Sequence, residues 1–246
     1  MAYYSNSPSV LFGGPATPTI KAIITTNVAV FLLQLAERLT GGQFLVPFFG
    51  LVPRSITENL FVWQFVTYMF LHGGPFHLLF NMATLYMFGN ELERYWGRRR
   101  FLTYYFATGA GAGLCSWLVA MNSSTVIIGA SGAIYGILLA FAILDPNRIV
   151  LVSFLLPVKV KYLVLFMGIM AFYSSIAEAE PGVAHIAHLG GMLVGLVILK
   201  GKNWLYLLHS YREERRRQEL KKQFEVYYGE VRRKIEDEKG KGPTIH

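Results

Sequence analysis

Six mainly apolar stretches recur along the chain, at residues 20–36, 76–88, 101–119, 126–144, 162–176 and 183–199. Each approaches or meets the roughly 17 to 25 residues that a helix needs to cross a bilayer. No other feature constrains the fold as much, because a segment inside hydrocarbon must satisfy its own backbone N–H and C=O groups, which a helix does internally. Residues are 53% hydrophobic and 15% charged, with a mean hydropathy of +0.39; about a quarter would be charged in an ordinary soluble domain. The expectation is an all-α membrane protein, a six-transmembrane helical bundle. Between the first two stretches, residues 39–74 are rich in aromatics and broken by Pro47 and Pro53. They read as a long interfacial first loop with short helices, placing Phe48, Phe49, Phe61 and Trp63 at headgroup depth. Thr25, Thr26, Asn27 and Gln34 in the first stretch are expected to face protein rather than lipid.

The formal charge of +8 is a matter of placement. Arg94, Arg98, Arg99, Arg100, Arg148, Lys159 and Lys161 lie in the second-to-third and fourth-to-fifth connections, while the other three connections hold only Arg38 and Arg54. The positive-inside rule then puts both termini in the cytoplasm. Residues 1–19 form an N-terminal cytoplasmic segment, without the charged start and apolar core of a cleavable signal peptide. Residues 20–199 form the membrane domain, and 200–246 a basic cytoplasmic C-terminal tail that reads as a charged helix. No nucleic-acid motif accompanies the positive charge. Cys115 is the single cysteine and sits mid-span as a small packing residue.

Within the fourth stretch, Gly129-Ala130-Ser131-Gly132 sets a hydroxyl among small residues. Such residues can serve only to let two helices approach, but other stretches carry the partners of a nucleophile. A serine needs a base, and imidazole serves near neutral pH. His188 precedes Gly191 and Gly195 by three and seven residues, so one helical face carries the imidazole and two small residues. Gly132 and Gly136 offer a matching surface beside Ser131. His77 and Asn81, four apart on the second stretch, can both donate to an oxyanion, as can the Ser131 amide at a helix start. In the alternating topology His77, Ser131 and His188 share a depth roughly 5 to 10 Å below the outer surface. Tyr135, one turn after Ser131, can stack on the imidazole. His185 is the rival base. No carboxylate lies in the spans near His188, so the pattern is a dyad rather than a triad. No cluster has metal-ligand spacing, and neither a metal nor a cofactor is expected.

These motifs resemble those of the rhomboid family of intramembrane serine proteases: HxxxN at His77 and Asn81, GxSG from Gly129 to Gly132 with Tyr135 following, and AHxxGxxxG from Ala187 to Gly195. The resemblance runs over about residues 20–199 and includes the charged run from Gly89 to Gly97. It implies that Ser131 is the nucleophile and His188 the base, with His77, Asn81 and the Ser131 amide forming the oxyanion hole and Tyr135 supporting His188. It further implies transmembrane protein substrates with a single span, admitted past the fifth span, and a multi-pass protein of the bacterial inner (plasma) membrane. Where the family often has Trp-Arg in the first loop, this chain has Trp63-Gln64, which bears on loop anchoring. His72 matches a position often histidine in the family and reads as structural. Two other classes compete. One is a catalytically inactive rhomboid-like protein that holds client transmembrane helices. The other is a small transporter, disfavoured by the lack of an inverted repeat. Oligomeric state and physiological substrate are not encoded in these motifs.

Overall fold

A computed structural model describes residues 14–152, 156–177 and 184–201. The expected tail helix, with residues 1–13 of the N-terminal segment, lies outside the described residues.

The first long helix, α1 (Pro18–Leu39), starts where the Thr17 side chain accepts a hydrogen bond from the Ile20 N–H and Pro18 fixes the first turn. Its 22 residues give about 33 Å, enough for the hydrocarbon layer. Asn27 and Gln34 face the protein and are fully buried. Thr25 and Thr26 do not: both are exposed, contrary to the expectation that all four would face inward. The buried amides take their own partners: Asn27 donates to the Ile23 carbonyl one turn back at 2.8 Å. Gln34 finds one in the first loop, where it accepts from the His72 N–H at 3.0 Å.

The first loop holds three short helices, α2 (Leu45–Phe49), α3 (Pro53–Asn59) and α4 (Gln64–Thr67), followed by a 3₁₀ turn at Tyr68–Phe70. Phe48 packs on Phe49 at 5.0 Å and on Trp63 at 5.2 Å, and the Trp63 indole donates to the Phe48 carbonyl. Gln64 is fully buried beneath them. Its side chain accepts from the Val52 N–H at 3.0 Å and donates to the Pro47 and Phe48 carbonyls. The neutral amide therefore ties three turns of the loop together where the family often has arginine. Leu51 and Ile127 exchange two backbone hydrogen bonds, fastening the loop to the segment before Ser131.

The second stretch is helical from α5 (Pro75–Thr84) through a π turn at Leu85–Gly89 into α6 (Asn90–Trp96), extending the 13-residue window well past its end. Gly97, at φ +80°, turns the chain into α7 (Arg98–Val119). The fourth window is shortened: helix α8 covers only Ser131–Leu144, 14 residues. Residues 126–130 are pinned to the first loop by the Leu51 bridge and bent by Gly129 at φ +122°, so they cannot join the helix.

An unanticipated feature of the all-α expectation is a hairpin, β1 (Ile149–Val152) and β2 (Leu156–Lys159), antiparallel with Val150 opposite Val158. Ile149, Val150, Val152 and Val158 are β-branched, which suits strands. Helix α9 (Val160–Ala177) follows it, and α10 (Ala184–Gly201) comes last. Among the described residues, α1 and α10 meet the length and hydropathy of a span outright, while α8 and α9 are shorter apolar helices.

Close packing of α7, α8 and α10 sets the middle of the bundle. A Cβ on Gly132 would lie 2.5 Å from the Ala112 Cβ, and one on Gly136 2.8 Å from the Thr108 side chain. A Cβ on Gly191 would lie 2.0 Å from the Gly132 carbonyl oxygen, and one on Gly195 3.4 Å from the Gly136 Cα. Gly191 of α10 thus opens toward α8 and Gly190 and Gly195 chiefly toward α7, while Gly132 and Gly136 of α8 open toward α7. Cys115 packs beneath Gly190, whose Cβ would meet it at 2.7 Å, in the role of a small packing residue.

Candidate active site

Ser131 is the first residue of α8, placed there by the bend at Gly129 and the Ala130 cap at φ −75°, ψ −1°. The Gly129 N–H donates to the Tyr68 carbonyl at 2.9 Å, so the first loop holds the bend from one side. From the other side α10 delivers His188, whose Nε2 lies 2.8 Å from Ser131 Oγ. This contact exists because Gly191, one turn beyond His188, lets α10 lie against the α8 backbone.

Tyr135 stacks on His188 with ring centroids 4.4 Å apart and planes 3° from parallel. It covers one face of the imidazole and limits its rotation, as a carboxylate would by hydrogen bonding. His185 meets His188 edge-on at 5.8 Å, and it is His188 that reaches the serine. An imidazole that accepts the hydroxyl proton through Nε2 activates the oxygen without a third residue.

His77 and Asn81 come to the same place from α5. The position of a Cβ on Gly129 is 2.7 Å from His77 Nε2 and 3.8 Å from Asn81 Nδ2. Only glycine fits there, for its positive φ and for this space. His77 Nδ1 accepts from the Gly73 N–H at 3.3 Å, which leaves Nε2 carrying the ring proton and able to donate beside Gly129. Asn81 Nδ2 is buried with no hydrogen-bond partner. A buried amide donor with nothing to donate to is costly, and here it points to an acceptor that arrives later. The four-residue spacing put both side chains on one face as the sequence pattern predicts.

Three supports complete the site; sequence reasoning missed Tyr68 and Tyr104, and placed Gln34 and His72 in the protein without pairing them. Tyr68 donates its hydroxyl to the Gly109 carbonyl at 2.7 Å while its own carbonyl holds Gly129. Gly109 and Gly113, four apart on α7, were the available signal: their missing Cβ atoms make room for Met69 and Leu51 of the loop. Gln34 secures the backbone at His72, and the fully buried His72 ring meets the His77 ring at 5.0 Å, behind the donors. Tyr104 donates to the Gly136 carbonyl at 2.8 Å, tying α7 to α8 at the residue after Tyr135. Among the described residues no group of three or more His, Cys, Asp or Glu is placed to hold a metal ion.

The family described as Rhomboid domain matches residues 60–201. The chain belongs to the rhomboid family. Its curated relatives include Rhomboid-like protein 11, chloroplastic, of Arabidopsis thaliana, 33% identical over 184 residues, which are 69% of this chain and 62% of that protein. Rhomboid protease AarA of Providencia stuartii is 28% identical over 200 residues, 72% of this chain and 69% of the relative. Rhomboid protease GluP of Bacillus subtilis (strain 168) is 29% identical over 189 residues, 76% of this chain and 35% of the relative. This rhomboid spans less than two thirds of several of the relatives it matches. Membership makes it an integral membrane protein of helical fold, and it also gives the exposed Leu32, Leu33, Leu165 and Phe166 their surroundings, lipid rather than water. The relatives include chloroplastic and mitochondrial proteins as well as bacterial ones, so the family alone does not select a compartment.

Proposed function

We propose that this rhomboid is a serine endopeptidase acting inside the membrane. The observation that carries the reading is the 2.8 Å contact of Ser131 Oγ with His188 Nε2, made between two helices of a membrane bundle. His188 takes the hydroxyl proton as Ser131 Oγ bonds to the scissile carbonyl carbon, and the carbonyl oxygen becomes an oxyanion. Asn81 Nδ2, His77 Nε2 and the Ser131 N–H supply donors for that charge, each already oriented before the reaction. The protonated His188 returns its proton to the leaving amine as the C–N bond breaks. A water, deprotonated by His188, then releases the acyl group from Ser131, restoring both side chains.

The topology we assign has six spans: α1, α5 with α6, α7, α8, α9 and α10, with residues 94–100 and the β1–β2 connection in the cytoplasm. Its substrates would be single-span membrane proteins cut in or near their transmembrane helix and entering past α9, and its home the bacterial inner membrane. Water must reach Ser131, and His188 and Ser131 are each only partly buried, which agrees with a cavity opening to the outer side.

The test is cleavage of a single-span reporter by purified protein in vesicles. Ser131→Ala and His188→Ala are each expected to abolish it, and His185→Ala to spare it; cleavage surviving Ser131→Ala refutes the assignment. A serine-reactive fluorophosphonate that labels wild type at Ser131 separates an enzyme from an inactive client-holding relative, which would leave the hydroxyl unlabelled.

A further inference from the structure

A groove of about 450 Å³ lies where α8, α9 and α10 meet, with Leu189, the residue after His188, among its lining side chains. Its walls are Leu139 and Ile143 of α8, Val164 and Gly168 of α9, and Met192 of α10, and Lys161, in the first turn of α9, also lines it. That volume is the size of a small-molecule site. The side chains around its rim, Leu165, Ile169 and Phe172, are exposed and apolar, so the groove opens to hydrocarbon. A wall of this chemistry does not hold water, and hydrocarbon fills it.

We propose that the groove seats one acyl chain of an anionic phospholipid whose phosphate is held by Lys161. Lys161 lies in the first turn of α9, two residues after the end of β2, where a span meets the headgroups. Its ammonium donates to Asn147 Oδ1 at 3.0 Å and lies 5.1 Å from the Tyr162 ring, which hold it beside the groove with protons left for a phosphate. The local charge favours an anion. Glu91 and Asp145 face Arg148 at 2.9 and 3.7 Å, and with Lys159 and Lys161 these groups carry a net charge of +1. Gly168 keeps the floor open: a Cβ there would just reach Met192 at 3.6 Å, so a larger side chain would project into the chain's path. One lysine at headgroup depth favours an anionic lipid roughly fivefold.

The experiment uses the full-length protein in phosphatidylcholine vesicles containing a trace of phosphatidylglycerol with a photoactivatable group on its acyl chain. Irradiation should label α8, α9 and α10 around Ile143, Gly168 and Met192, about fivefold more strongly than the same chain on phosphatidylcholine. Lys161→Gln should remove that headgroup preference while the chain still labels the groove, and Gly168→Leu should abolish the labelling. If Gly168→Leu does not fold, Ile143→Phe fills the same space. Ser131→Ala should label as wild type does, so the result stands apart from proteolysis. Labelling spread evenly onto exposed faces such as Leu32 and Leu33 of α1 overturns the proposal. So does equal labelling by the two headgroups, or displacement of the label by a single-span peptide, which would make the occupant a helix.

Discussion

Gly191→Ala tests whether helix contact governs the chemistry, because the substituted atom lies away from every reacting group. The new Cβ would sit 2.0 Å from the Gly132 carbonyl oxygen, with the Gly132 carbonyl carbon at 2.8 Å and Cα at 3.2 Å. All three are backbone, so no side chain can swing aside. An ordinary contact needs about 3.5 Å, so α10 must move away from α8 by about 1.5 Å at this turn. His188 is one turn earlier on the same helix and moves with it. The Ser131–His188 contact, now 2.8 Å, would open toward about 4 Å, beyond a hydrogen bond. Misplacement by ~1 Å can cost on the order of 10²-fold in rate, and overpacking of a tight seam costs about 1–3 kcal/mol. The expected outcome is a folded protein with a lower melting temperature and reporter cleavage reduced at least ~100-fold. Gly168→Ala, with its Cβ at an ordinary 3.6 Å from Met192, is the control and should cleave normally. A folded Gly191→Ala protein that cleaves within about threefold of wild type would refute the reasoning.

Asn81→Ala should lower kcat by ~10²–10³-fold, the scale for one oxyanion donor, with an unchanged melting temperature because Nδ2 has no partner to lose; a matching fall in thermal stability would instead make Asn81 structural. Gly129→Ala places a Cβ 2.7 Å from the His77 ring at φ +122°, so both stability and cleavage should fall. Gly41→Ala has a comparable positive φ, +77°, but open space around it, and should lower only stability. Gln64→Ala removes the partner of the Val52 N–H and a donor to the Pro47 carbonyl, leaving the Phe48 carbonyl with Trp63 alone, and should cost about 1–3 kcal/mol by thermal unfolding, whereas a stability equal to wild type would show that the loop does not depend on it.

The pairing of Ser131 with His188 was legible because its requirements are local. Spacings of three, four and seven residues put His188 with Gly191 and Gly195, and His77 with Asn81, on single helical faces whatever the rest of the chain does. Other parts needed distant partners. Nothing around Gln64 announces that it will bond Val52, Pro47 and Phe48, because loop closure depends on where three turns meet. The fourth stretch reads as one apolar run, yet residues 126–130 are taken from the helix by Leu51, far away in the chain. Hydropathy averages over such a run and cannot see a hydrogen bond that ends it. The hairpin escaped notice for a related reason: Ile149 to Val158 is short and apolar, and periodicity alone does not tell strand from buried helix at that length.

Hydrophobic length, charge asymmetry and three short motifs are enough by themselves to specify a helical membrane protein and to nominate Ser131 and His188, since each is a property of contiguous residues. Tertiary structure decided that Ser131 is the first residue of its helix rather than a few residues into it. It decided too that His188 and not His185 meets the hydroxyl, at 2.8 Å, and that Asn81 keeps an unused donor beside Gly129. The physical reason is steric: three helices with missing Cβ atoms can approach until backbone touches backbone, and that approach fixes which side chains come within reach.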